Sequence, residues 1–108
     1  MLKAYFREDE LIADAVTPSA DGTRLDSRGD LALTVGGEIN KLAFNAAMGR
    51  NFAGIHYRSD ALAGMTLGEE VAISCLQDWV ECLHEDFPGF RFTRFDGRVV
   101  EVTKQPFM

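Results

Sequence analysis

Hydrophobic positions along this chain fall into two long helical patterns followed by a short alternating one. In "VGGEINKLAFNAAMGRNFA", Ile39, Leu42, Ala43 and Ala46 share one face, and Ala47 and Ala53 are small enough for close helix packing. Thr34 stands where an N-cap belongs, so the spacing predicts a helix over 35–50. Continued one turn, the same face reaches Arg50, and a cation on a buried stripe demands a partner. After the break at Gly54, Ser59 offers a second N-cap. Leu62, Met65, Leu67, Val71, Ile73, Leu76, Trp79, Val80 and Leu83 then give a broad apolar flank to a helix over 59–85, which stops near Pro88-Gly89. Beyond it Phe90 and Phe92 alternate with Arg91 and Thr93, Asp96-Gly97 signals a tight turn, and Val99, Val100 and Val102 complete a hairpin.

The first third of the chain is less regular. Leu2, Tyr5 and Phe6 have helical spacing with no N-cap before them, as in a helix entered partway. From Glu10 to Asp30 the turn signals Thr17-Pro18-Ser19, Asp21-Gly22 and Arg28-Gly29-Asp30 predict an ordered loop, in which Ile12, Val16 and Leu25 anchor at most a short hairpin. The fold class expected is mainly α: a helical bundle fragment with a C-terminal β-hairpin, in a single domain over residues 1–108.

Composition narrows the function classes. Of 108 residues, 46% are hydrophobic and 26% charged, enough for one modest core. The net charge of −6 and the absence of a basic run argue against nucleic acid as a partner. No apolar run approaches the roughly 18 residues of a membrane span. "MLKAYFREDE" lacks the apolar centre of a signal peptide, so a soluble chain is expected, with the cytoplasm favoured. Cys75 and Cys82 lie seven positions apart on the predicted helix, or roughly 10 Å, beyond disulfide reach; they read as reduced core residues.

Candidate chemistry concentrates in "GRNFAGIHYRSD", with Arg50, His56 and Asp60 in the spacing Arg-x5-His-x3-Asp. Arg50 closes one helix, His56 lies in the connection, and Asp60 enters the first turn of the next, where its charge suits the helix dipole. A guanidinium matches phosphate-like oxygens, a neutral imidazole can meet an electrophilic centre, and a carboxylate on its other nitrogen fixes the tautomer. Two readings follow: an oxyanion site, or a structural Arg50–Asp60 bridge with His56 satisfying a carbonyl. Other features read as structural. Lys41 is an exposed partner of Glu38, Gly36-Gly37-Glu38 a packing contact, and Trp79 and the hairpin phenylalanines core or interface. His84 is a solvated residue on the long helix; Glu69, Glu70, Glu81, Glu85 and Asp86 form a solvated helix face.

Over nearly its whole length the chain resembles the C-terminal part of bacterial vanadium-dependent haloperoxidases, relatives of the type 2 phosphatidic acid phosphatases. The resemblance rests on Arg50-x5-His56-x3-Asp60 with Arg58 where the phosphatases commonly carry proline, and on the flanks "LTVGGEINKLAFNAAMGR", "LGEEVAI" and "FTRFDG". It implies vanadate as cofactor and peroxide-driven halide oxidation as activity. His56 would be the vanadium ligand, Arg50 would neutralise the oxyanion oxygens and Asp60 would orient His56. Two further motifs of that family are absent from the sequence: one supplying a lysine and an arginine, the other of the form Pro-Ser-Gly-His, expected just upstream of "MLKAYF". The resemblance therefore implies an incomplete oxyanion site and negligible turnover by the chain alone. It also implies apolar faces in need of cover, by a homo-oligomer, a dimer favoured, or by an upstream complementary polypeptide. Ile73, Leu76, Val80 and Leu83 on the long helix, and Phe92 and Val100 on the hairpin edge, are the residues expected at that surface.

Overall fold

Residues 1–28 and 32–104 are described by the computed structural model. Among the described residues are two helices and two small antiparallel hairpins: β1 (Val16–Pro18) with β2 (Leu25–Ser27), α1 (Val35–Phe52), α2 (Arg58–Cys82), then β3 (Phe90–Thr93) with β4 (Val99–Val102). Where a partial N-terminal helix was expected, a single 3-10 turn spans Leu2–Ala4. It is held sideways against the C-terminal hairpin, where Lys3 Nζ donates to the Thr93 carbonyl at 2.5 Å. The polar segment that follows carries the β1–β2 hairpin, with Val16 and Leu25 both exposed, so local bonds and not an apolar anchor define it. Its turn is organised by Asp21, which accepts from Ser19 Oγ at 2.6 Å and from the Thr23 amide and hydroxyl at 3.1 and 2.9 Å. Gly29 and Asp30 of the third turn signal lie outside the described residues.

Thr34 caps α1 as its sequence position suggests, its side chain accepting from the Gly37 amide at 3.1 Å. The next two donors are met by the preceding chain: the Val35 amide reaches the Glu10 carbonyl, and the Gly36 amide the Glu8 carbonyl, both at 2.9 Å. Gly36 is buried there, and a β-carbon on it would stand 2.7 Å from Glu8 Cβ, so this glycine pair is a packing contact.

The core gathers at one end of the molecule. Among the described residues, Leu76 and Val80, one turn apart on α2, are covered by Phe90 and Phe92 of β3 and Val102 of β4. The register pairs Phe90 with Val102 and Phe92 with Val100, which sets the alternating apolar residues of both strands on one face. Tyr5 and Phe87 meet Phe90 edge-on and Trp79 lies tilted beside it, with ring centroids 4.9–6.5 Å from that of Phe90. This corrects the expectation that Leu76, Val80, Phe92 and Val100 form an exposed surface. The C-terminal hairpin, read from sequence as a free edge, folds back over α2 and covers them.

α2 begins at Arg58, after Tyr57, one residue before the expected start at Ser59, and the return of the chain ends it at Cys82, not 85. Leu83 turns extended at ψ 127°, Gly89 takes φ 101°, and the segment between swings Phe87 into the aromatic cluster. His84 therefore lies beyond the helix, exposed. Cys75 and Cys82 are exposed, not core, because they lie off the Leu76–Val80 stripe.

The acidic pair Glu69 and Glu70 is also structural and not a solvated face. Arg94 at the head of the hairpin turn binds Glu69 at 3.0 Å and also contacts Glu70, while the Phe95 amide donates to Glu69 at 2.7 Å. Lys41 and Glu38 pair on the surface at 2.5 Å. Among the described residues no helix is long and apolar enough to cross a membrane.

Candidate oxyanion site

The site is built by the turn between α1 and α2. Gly54 adopts φ 74°, its amide bonds the Asn51 carbonyl at 2.9 Å, and the Ile55 amide reaches the Arg50 carbonyl at 3.4 Å. This is a Schellman ending, in which a glycine in the left-handed region closes the last turn by two backward bonds. It ties the backbone of Arg50 to the residue just before His56.

Asp60 then fastens the other side of the turn. Its Oδ2 accepts from the Tyr57 amide at 2.9 Å, satisfying an otherwise open donor at the start of α2, and lies 3.4 Å from His56 Nδ1. The Tyr57 amide, first, and His56 hold the Asp60 carboxyl below the ordinary carboxylate range. One oxygen thus caps the helix and faces the imidazole, which leaves His56 Nε2 as the ring nitrogen free to meet a ligand.

Arg50, His56 and Asp60 line one open cavity of about 290 Å³, together with Ala47, Ala61, Gly64 and Met65. The structural Arg50–Asp60 bridge is not formed: Arg50 is exposed, and among the described residues its guanidinium has no hydrogen bond or ion pair. The expected burial of Arg50 is corrected by the same observation. Its stripe is only partly covered, since Leu42 on that stripe is itself exposed.

Sequence reading missed the four small and apolar wall residues and the Tyr57 amide. Ala61, Gly64 and Met65 follow Asp60 at one, four and five positions, and Ala47 precedes Arg50 by three, so helical spacing from the two charged residues was the signal for them. Lys41 and His84 do not line this cavity. No group of three or more His, Cys, Asp or Glu side chains able to hold a metal cation occurs among the described residues.

One open cavity thus gathers a guanidinium with no partner among the described residues, an imidazole whose Nδ1 lies 3.4 Å from a carboxylate oxygen, and small walls. The chain is homologous to part of algal vanadium-dependent bromoperoxidases. It is 40% identical over 103 residues to those of Corallina officinalis and Corallina pilulifera, and 41% identical over 97 residues to that of Ascophyllum nodosum. These matches take in 94, 94 and 89% of this chain, yet the chain spans only 17% of the length of each relative. No protein-family model and no solved structure matches.

Proposed function

We propose that this chain is the oxyanion-binding portion of a vanadate-dependent haloperoxidase, of the C-terminal helical type, and that alone it binds vanadate weakly and turns over negligibly. The observation that carries the proposal is that the Arg50 guanidinium, without a partner among the described residues, lines the same cavity as His56, whose Nδ1 lies 3.4 Å from Asp60 Oδ2. An arginine made for a structural bridge would have found a carboxylate; this one is left for an anion.

The donor set fits vanadate, a tetrahedral oxyanion with an electrophilic centre. Arg50 would neutralise its oxygens, His56 would ligate the vanadium through Nε2, and Asp60 would hold the imidazole in the required tautomer. When bound, vanadate supplies Lewis-acid activation of peroxide for halide oxidation. The chain's own contribution is charge, orientation and proton placement at His56 Nδ1. Two side chains in reach of the ion are few for a multiply charged oxyanion, and loss of a single preorganised donor costs on the order of a hundredfold in rate.

Vanadium-51 NMR titration of the purified chain tests the reading without relying on activity. Arg50→Ala and His56→Ala should each weaken binding by about tenfold or more, the scale of a charge-assisted hydrogen bond. Affinity unchanged in both variants would refute it and leave a non-catalytic helical module. Phosphate binding with no vanadate binding would point to a phosphatase-like fragment. A bromoperoxidase assay with vanadate and peroxide should show negligible turnover, and robust His56-dependent turnover would show that the two groups suffice.

A further inference from the structure

Charge is unevenly spread along this acidic chain. Between Glu38 and Glu69 stand three cations, Lys41, Arg50 and Arg58, and a single carboxylate, Asp60, whereas the whole chain has a net charge of −6. Every residue that lines the oxyanion cavity belongs to that stretch. Lys41 is neutralised by Glu38 at 2.5 Å, and Asp60 is engaged by the Tyr57 amide and faces His56. Within the stretch, Arg50 and Arg58 are the cations left without a partner among the described residues.

Arg50 has its place in the cavity wall, but Arg58 does nothing for the helix that carries it. It is exposed and stands first in α2, where the positive end of the helix dipole disfavours a cation and where proline or a carboxylate would be at home. Its backbone is nevertheless fixed by the site. The residue before it, Tyr57, gives its amide to Asp60 Oδ2 at 2.9 Å, the same oxygen that faces His56. His56 and Arg58 are two steps apart, so their Cα atoms stand no more than about 7 Å from each other. That is inside the Debye length of about 8 Å at physiological ionic strength, and a charge anchored there is felt at the cavity.

We infer that Arg58 is a steering charge for the oxyanion. It does not line the cavity and does not ligate the ion; with Arg50 it holds a positive potential over this one corner of a molecule whose net charge repels anions. The inference rests on the oxyanion reading of the cavity. Its magnitude follows from Coulomb's law: in water, two unit charges about 8 Å apart attract by close to the thermal energy, a factor of about two to three in affinity per unit of ligand charge.

Vanadium-51 NMR titration of the chain with vanadate, at about 10 mM and about 1 M salt, tests it. At low salt Arg58→Gln should weaken binding by about two- to threefold for a ligand of one negative charge, and Arg58→Glu, which reverses the charge, by about four- to ninefold. Arg58→Lys keeps the charge and should bind as the parent does. At high salt all four chains should converge. Lys41→Gln removes the same charge about 13 Å up α1 from Arg50 and should cost less than Arg58→Gln. Arg58→Gln should also raise the melting temperature by about 1–5 °C, because it takes a cation off the positive end of α2, so weaker binding in that chain is not weaker folding. Equal losses from Lys41→Gln and Arg58→Gln would overturn the inference by making net charge the cause. A loss in Arg58→Lys as large as in Arg58→Gln, or one that persists at high salt, would overturn it by giving the guanidinium a direct contact. Arg50→Ala separates the two claims. If it abolishes binding while Arg58→Glu binds as the parent does, steering falls and the oxyanion reading stands; if it leaves binding untouched, the oxyanion reading falls and takes the steering role with it.

Discussion

Two glycines near the site should answer the same substitution with opposite signs. Gly54 sits at φ 74° in the Schellman turn, and a β-carbon there would meet nothing within 4 Å, so any cost of Gly54→Ala is conformational and not steric. Placing an L-residue in the left-handed region costs about 1–2 kcal/mol. Removal of glycine's freedom from the unfolded chain returns about 0.4–1 kcal/mol, so a net loss near 1 kcal/mol is expected. In a domain of this size that lowers the melting temperature by about 4–8 °C. Gly64 lies inside α2 at an ordinary helical φ, again with nothing within 4 Å of a β-carbon. There Gly64→Ala should stabilise by about 0.5–1 kcal/mol, because glycine is the poorer helix former. Far-ultraviolet circular dichroism during heating measures both. A Gly54→Ala chain as stable as the parent would show that the Schellman turn does not hold the two helices in place. A destabilised Gly64→Ala chain would show that the α1–α2 contact is tighter than the structure has it.

Leu76→Ala removes a fully buried side chain from the small core, and urea unfolding should register a loss of about 2–5 kcal/mol, a large fraction of a small domain's stability. Gly89→Ala should cost more than Gly54→Ala, because the residue has φ 101° and its β-carbon would lie 2.2 Å from the Val102 carbonyl oxygen; loss of the hairpin amide dispersion in NMR is the readout. Asp21 is held at about 2, first by Ser19 and then by Thr23, so NMR titration should find it ionised well below an ordinary aspartate. Its contribution to the β1–β2 turn is complete above the unfolded value of 3.8 and is lost as pH falls toward 2. Asp60, lowered chiefly by the Tyr57 amide, has the same sign: amide exchange at the start of α2 should accelerate as acid protonates it below its ordinary range.

What the sequence showed and what it hid divide along one physical line. Both helices, the Thr34 cap and the Asp96-Gly97 turn are decided by residues within a few positions of one another, and the structure has them, with ends shifted by one to three residues. The approach of His56 to Asp60 belongs to the same class, being one helical step across a turn that Gly54 closes. Contacts made at long range were not legible. Nothing near Glu69 or Glu70 announces Arg94, 25 and 24 positions away, so a clamp between helix and hairpin read as a solvated face. Nothing near Leu76 says that Phe92 will cover it. Arg50 shows the same limit from the other side. Helical periodicity correctly groups it with Leu42 and Ala43, but periodicity says only which residues share a face and is silent on what covers that face. Leu42 and Arg50 are therefore exposed for one reason, the absence of a covering layer over α1. Leu42 lacks an apolar cover and Arg50 lacks an anionic partner among the described residues, and both gaps lie along the same stripe of α1.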